Sequence, residues 1–435
     1  MFCLRKPLVC LLLISLLCGL AGAGLAQDDI TLTMLTHWGT EDQLAAQQVI
    51  IDAYMEANPG VNIELVTVDF GELRTKIITG RTAGISADVY HFYHLWLPDF
   101  VNAGVLAEPT QDDLSYIDEN VAQGTIDAVS TSDGQIWGYP TEVNPYLLVY
   151  NKRLLAEAGY DAPPSTWDEL KEIAEAITQV DDTGAISQLG LGVMAGWDSG
   201  IVHPFSALLF SNGGSYLSED RSVAEFNSPQ GIETLQLYAD LVASGGTDPS
   251  ISGLGDFPSG AVGMVIMAPW WRATLRAAEG IDFDTEVGVA EIPVGPSGDA
   301  PSSIAYTWLF AVDSNSPNKA AAWDFIHWMN AEHEEGQGSA IGDFLVNALG
   351  AIPSFDHDQA AYADSMSDHY VSAFVAASAY AHPEQIVAGG QEIKTLLQVE
   401  IEAVMAGMTT PEEALASVAA QADAILEEQR MMAEE

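Results

Sequence analysis

The sequence predicts an α/β fold in two lobes, on three observations. Strand-like and helix-like segments alternate from Ile30 onward, the signature of a parallel sheet flanked by helices. A second alternating region covers about residues 146–300. The chain has 435 residues, 48% of them hydrophobic, enough for a large core and too many for one ordinary domain.

The elements follow in order. "ITLTML" (30–35) alternates as a strand does, and after "THWGTED" an amphipathic helix runs from Gln43 to Ala57, stopped by Asn58-Pro59-Gly60. "VNIELVTV" (61–68) is a second strand and Leu73 to Thr82 a helix; "ADVYHF" (87–92) is a third strand, followed by a helix near Leu97 to Ala103. "DGQIWGYP" (133–140) has the composition of a short hairpin, and "YLLVYN" (146–151) that of a buried strand. Asn151 caps a helix from Lys152 to Ala158; Ser165 or Thr166 caps the next, with Asp168 and Glu169 favouring its first turn. "TWLFAV" (307–312) is a strand ahead of a helix from Ala320 to Met329. The C-terminal third is helical, with a last helix after Pro411. In a parallel sheet ligands sit beyond the carboxyl ends of the strands, here "THWGTE" and "YHLW".

Residues 1–26 have the pattern of a secretory signal peptide: Arg5 and Lys6, an apolar run from Leu8 to Leu20, and a small-residue cleavage site at Gly24-Leu25-Ala26. The apolar run is too short for a membrane span. The expected product is a soluble exported protein of the periplasm, or of the cell surface if Cys18 carries a lipid; Leu17 before it departs from the small residue a lipobox needs. Cys3, Cys10 and Cys18 all fall in this leader, so the rest of the chain has no disulfide, thiolate metal site or cysteine nucleophile.

The formal charge is −48, and removing Arg5 and Lys6 leaves 12 basic residues against 62 acidic. Such a surface repels nucleic acid, because nothing neutralises the phosphates. It keeps the chain dispersed, as a monomer, and suits high salt or acidic surroundings.

Several blocks, in order, resemble the extracellular solute-binding proteins of the sugar-binding, maltose-binding-protein-like type that serve bacterial ABC importers. They are "YMEANPGVNIELV" (54–66), "TAGISADVY" (82–90), "FVNAGVLAEP" (100–109), "DGQIWGYPTEVNPYLLVYNKRLLAEAGYDAPPSTWDEL" (133–170), "FPSGAVGMVIMAPWW" (257–271), "SPNKAAAWDFIHWM" (316–329) and "TPEEAL" (410–415). The resemblance spans nearly all of the chain after the leader. It implies a two-lobe periplasmic-binding-protein fold of the type II-like, flytrap kind, with discontinuous lobes and a helical C-terminal part. Lobe 1 would comprise 27–141 plus about 306–352, and lobe 2 about 145–305 plus 355–435. Crossings are expected near Thr141–Pro145, Ala305–Phe310 and Ala351–Phe355. It also implies a sugar ligand, permease subunits as partners, no cofactor and no catalysis.

A sugar site needs aromatic plates for C–H faces, with amides and carboxylates for hydroxyls. Placement at strand ends and crossings, sharpened by the resemblance, nominates Trp38, Glu41, His94, Trp96, Glu142, Asn144, Trp197, Asp198, Trp270, Tyr306 and Trp308. Of the adjacent pair behind Pro269, Trp270 leaves the strand "VGMVIMA" facing the cleft. Trp271 either packs against its own lobe or reaches a second subsite, since neighbouring side chains point apart. Arg272 is the candidate anion partner should the ligand be a sugar acid or glycerol phosphodiester. A polyamine caged by carboxylates and tryptophans is the other alternative ligand. Trp167, Trp323 and Trp328 fit capping or core positions, and Trp137 stays open. A secreted glycoside hydrolase would need a carboxylate pair such as Glu41 and Glu142 across the bond. "FDHDQ" (355–359) fits a solvated loop better than a metal site, and "GLGVMAG" (190–196) lacks the spacing of a phosphate cradle.

Overall fold

The computed structural model describes residues 30–433; the leader and its three cysteines lie outside the described residues. From the N-terminus the chain forms β1 (Ile30–Thr36), α1 (Glu41–Ala57), β2 (Val61–Thr67), α2 (Phe70–Ala83) and β3 (Val89–Tyr93). Thr40 and Gln43 make a reciprocal capping box at the start of α1. This is why that helix begins two residues before the apolar periodicity does. After β3 the chain turns tightly through His94–Trp96 into a short helix, Leu97–Asn102.

The stretch 133–140 makes no hairpin of named strands, only an isolated bridge between Ser130 and Ile136. β4 (Tyr139–Pro145) follows, then β5 (Leu147–Asn151), α3 (Trp167–Ile177), β6 (Gln179–Val180), β7 (Ile186–Gly192), α4 (Asp198–Ser211), α5 (Pro229–Ser244), β8 (Val262–Met267), β9 (Val287–Ala290) and β10 (Ser303–Val312). Asn151 caps the helix after β5, and Thr166 with Glu169 caps α3. β11 (Ile352–Pro353), β12 (Ala381–Pro383), α6 (Gly390–Met405) and α7 (Pro411–Ala433) complete the chain.

Two sheets result. One has seven strands in the order β11-β4-β10-β3-β1-β2, with β12 beside β10; the other has five, β6-β7-β8-β5-β9. β1 lies parallel to β2 and β3, whereas β10 runs antiparallel to both β3 and β4. The chain passes from the large sheet to the small one between β4 and β5 and returns between β9 and β10. Segments 141–145 and 305–310, expected as crossings, are themselves strands of the large sheet, paired Ala305 to Pro145 and Tyr306 to Asn144. β12 also joins the large sheet, although it lies within the 355–435 segment assigned by sequence to the other lobe.

β3 and β8, inside the two sheets, are buried at every position, while the edge strands β2 and β6 are largely exposed or half-buried. Two glycines of "GLGVMAG" serve packing: a Cβ on Gly190 would stand 1.9 Å from the Ala174 carbonyl, and one on Gly192 would stand 2.5 Å from Gly253 Cα. "FDHDQ" is not a solvated loop. It opens a helix, Asp356–Ala361, whose buried Asp358 accepts from Ser339 N at 2.6 Å and Ser339 Oγ at 2.8 Å. No helix among the described residues is long and apolar enough to cross a membrane.

Candidate ligand-binding cleft

The carboxyl ends of β1, β3 and β8 converge on a cavity of about 200 Å³ between the two sheets. His37, Trp38, Gln43, Phe70, Tyr93, Glu142, Tyr306, Trp308 and Leu349 line one side; Tyr146, Trp197, Ser199, His203 and Trp270 line the other.

The first side is a stack of rings. Thr36 Oγ1 accepts from Trp38 N at 3.2 Å and the Gln47 amide donates to Trp38 O at 2.8 Å, fixing the turn after β1. The His37 ring then stacks on Trp308 at 4.0 Å, and Trp38 lies 3.8 Å from His91. Burial lowers the pKa of His37 to about 3, and burial together with His37 pushes that of His91 well down. Both imidazoles are neutral plates at neutral pH. The register of β10 against β4 shifts between Thr307 and Leu309, at Trp308. Two residues apart on one strand, Tyr306 and Trp308 point to the same face and both reach the cavity.

The second side is looser. Trp197 and Trp270 are half-buried and meet edge-on at 6.5 Å. Pro269 opens a single turn, Pro269–Trp271, that swings Trp270 toward the cavity. Burial raises the Tyr306 pKa well above the ordinary tyrosine value, partly offset by a hydrogen bond from the Trp270 side chain.

Glu142 is the cavity's one carboxyl group among the described residues. Burial raises its pKa to about 8, while hydrogen bonds from Thr141 and Asn144 pull the other way. At neutral pH it is therefore mostly a neutral acid, able to donate as well as accept. No cluster of His, Cys, Asp and Glu among the described residues is arranged to hold a metal.

Of the residues nominated from sequence, Trp38, Glu142, Trp197, Trp270, Tyr306 and Trp308 come together here, and seven do not. Trp271 is fully buried and packs on Phe257 at 5.2 Å, held in its own lobe by the turn that presents Trp270. Arg272 is committed elsewhere: its Nε donates to Asp368 at 2.6 Å and its guanidinium reaches the carbonyls of Val346 and Ser365. Glu41 is exposed in the first turn of α1, where a carboxylate complements the helix dipole. Glu41 and Glu142 therefore do not flank one space. His94 lies behind the wall, its ring nitrogens facing Ala128 O and Glu384. Trp96 stacks on Phe70 and donates to Gln391 at 2.7 Å. Asn144 is buried in β4 opposite Tyr306, and Asp198 accepts from Ser199 N and the Gln391 amide.

Residues 38–334, more than half of the chain, match the model of the bacterial extracellular solute-binding proteins. The chain belongs to that family. This solute-binding protein is 27% identical over 389 residues to a binding protein of Brucella abortus (strain 2308), covering 86% of this chain and 88% of that one. It is 25% identical over 314 residues to the maltotriose-binding protein of Pyrococcus abyssi, covering 69% and 63%. Its fold superposes with a TM-score of 0.78 on the GacH receptor of Streptomyces glaucescens, a structure obtained unliganded and with acarbose, at 23% identity over 91% of this chain and 98% of that one. The two-lobe α/β architecture is thus that of the GacH receptor structure.

Proposed function

We propose that this protein captures a neutral mono- or oligosaccharide between its two lobes and delivers it, without chemistry, to the permease subunits of an ABC importer. The observation that carries this reading is the cavity wall: eight aromatic residues, two neutral imidazoles and one largely protonated carboxyl. Aromatic faces match the C–H faces of a sugar ring, while Gln43, Ser199, Glu142 and the tyrosines match its hydroxyls. At about 200 Å³ the enclosed space falls below the usual roughly 300–1,000 Å³ of ligand pockets. It suits one ring, with the remainder of a longer ligand held toward the rim. The maltotriose-binding relative supports the same ligand class.

The alternatives fare worse. A polyamine needs ionised carboxylates in the wall, and Glu142 favours its proton. An anion needs a free cation, and Arg272 is paired. In keeping with this reading we propose two lobes built on the two sheets, with the C-terminal helices on the second, export to the periplasm, and action as a monomer. A thermal-shift screen over neutral sugars, polyamines and sugar phosphates tests the proposal, because a ligand that binds only the folded state raises Tm. Neutral α-linked glucosides are expected to raise it. A shift with spermidine or a phosphodiester, and with no sugar, would overturn the reading.

A further inference from the structure

Behind the cavity floor lies a buried ionic cluster that no ligand contact explains. Lys394, on the first turns of α6, is 1% exposed, yet all three ammonium protons have acceptors. They reach Tyr93 Oη at 2.7 Å, His203 Nε2 at 2.8 Å and Glu384 Oε1 at 3.0 Å. His203 Nε2 also stands 3.0 Å from Glu384 Oε1, and its Nδ1 lies 3.0 Å from Tyr146 Oη. Burial, reinforced by Lys394, lowers the His203 pKa to about 4, which agrees with a neutral ring. Tyr93 donates its own proton to Glu384 Oε2, which also faces His94 Nε2 at 3.0 Å. Tyr93, Tyr146 and His203 are all cavity-wall residues.

Tyr93 ends β3 of the seven-stranded sheet; His203 lies on α4, in the helical layer of the other lobe, on which α6 packs. Three residues earlier on α6, Gln391 repeats the arrangement. It accepts from the Trp96 indole at 2.7 Å and donates to Asp198. Just ahead of the helix, Gly389 N donates to Asp99 at 2.8 Å. One helix start therefore grips a first-lobe aromatic and a second-lobe polar group twice over.

We propose that Lys394, with Glu384, is a positioning residue of the cleft: acting through Tyr93 and His203, it holds one wall residue of each lobe and ties the lobes beneath the cavity, with Gln391 as an outer tie. The proposal rests on the cleft being the binding site. A buried charge pair is weak evidence for stability, since an apolar or neutral replacement of both partners is often tolerated. Its test is accordingly geometric.

The double variant Lys394→Met/Glu384→Gln removes both charges at similar shape, and Gln391→Leu removes the outer tie from a partly exposed site. Maltotriose affinity by calorimetry, Tm, and the radius of gyration of ligand-free protein by small-angle scattering are compared with the parent. The double variant is expected to keep a Tm near the parent's, to lose about tenfold in affinity, and to expand when ligand-free. Gln391→Leu is expected to lose about threefold. If the double variant does not fold, Gln391→Leu decides. Parental affinity and parental radius in the folded variants would overturn the proposal. Failure of maltotriose and every other sugar to bind the parent defeats the sugar reading instead, and the ligand-free scattering comparison still decides the tie.

Discussion

The two sides of the cleft are built differently. On the first lobe, His37, Trp38, His91, Phe70 and Trp308 stack into one another, so each wall ring is also a packing element. On the second, Trp197 and Trp270 touch edge-on and remain half-buried. The first side is a platform set before any ligand arrives. On the second, Trp197 and Trp270 keep freedom to adjust, and ordering them on binding carries an entropic cost of order 0.5–1.5 kcal/mol per side chain. The contrast teaches that stability and affinity should separate by lobe.

The largest expected effect comes from merging the two roles. Trp308→Ala should lower stability by about 3–5 kcal/mol, as truncation of a buried aromatic does, and should abolish measurable binding; chemical denaturation and calorimetry check the two halves. Trp271→Ala should cost a similar amount of stability, while the folded fraction keeps parental affinity. Trp270→Ala is the converse. Its affinity should fall about thirtyfold, the roughly 2 kcal/mol of an interface anchor, with Tm nearly unchanged. Unchanged affinity in Trp270→Ala with loss in Trp271→Ala would reverse the assignment of the pair.

A pH-dependent effect follows from Glu142. Its folded pKa, about 8, lies above the ordinary glutamate value, so between those limits the folded state holds a proton that the unfolded state has released. Stability from this group is complete below the ordinary value and is lost as pH rises through 8. Glu142→Gln should therefore gain on the parent by about 1.4 kcal/mol per pH unit between pH 5 and 8. His37 and His203, lowered to about 3 and about 4, act in the opposite sense, costing stability as pH falls below the histidine value of 6.5. Parallel pH–stability profiles for parent and Glu142→Gln would contradict the buried-acid reading. The smallest effect is general: with −48 formal charges, Tm should rise with salt as self-repulsion is screened.

The sequence carried the strand-end logic of the fold well, because alternation and caps are local signals. Trp38, Trp197 and Trp270 were visible for that reason, whereas Tyr306 and Trp308 came from the crossing that the family resemblance implied. The limits are equally physical. After β3 the chain enters a tight turn, in which each residue rotates sharply; sequence reasoning nominated His94 and Trp96, but the turn sends Tyr93 to the cavity and those two behind it. Neighbours were expected to point apart, yet His37 and Trp38 both line the cavity, because the backbone there is neither strand nor helix. Gln43, Phe70 and Ser199 sit in first helical turns, and a helix-start signal would have found them. His203 lies within a buried helix and Lys394 is far along the chain; no local pattern marks either as a partner of Tyr93.

The most direct test of the central claim is a calorimetric titration of the parent with maltotriose and with spermidine, at low and at high salt. A neutral-sugar cleft should show a single maltotriose site whose affinity barely changes with salt and whose heat-capacity change is negative, with spermidine silent. Saturable spermidine binding that collapses at high salt, with no response to maltotriose or to any other neutral sugar, would contradict it.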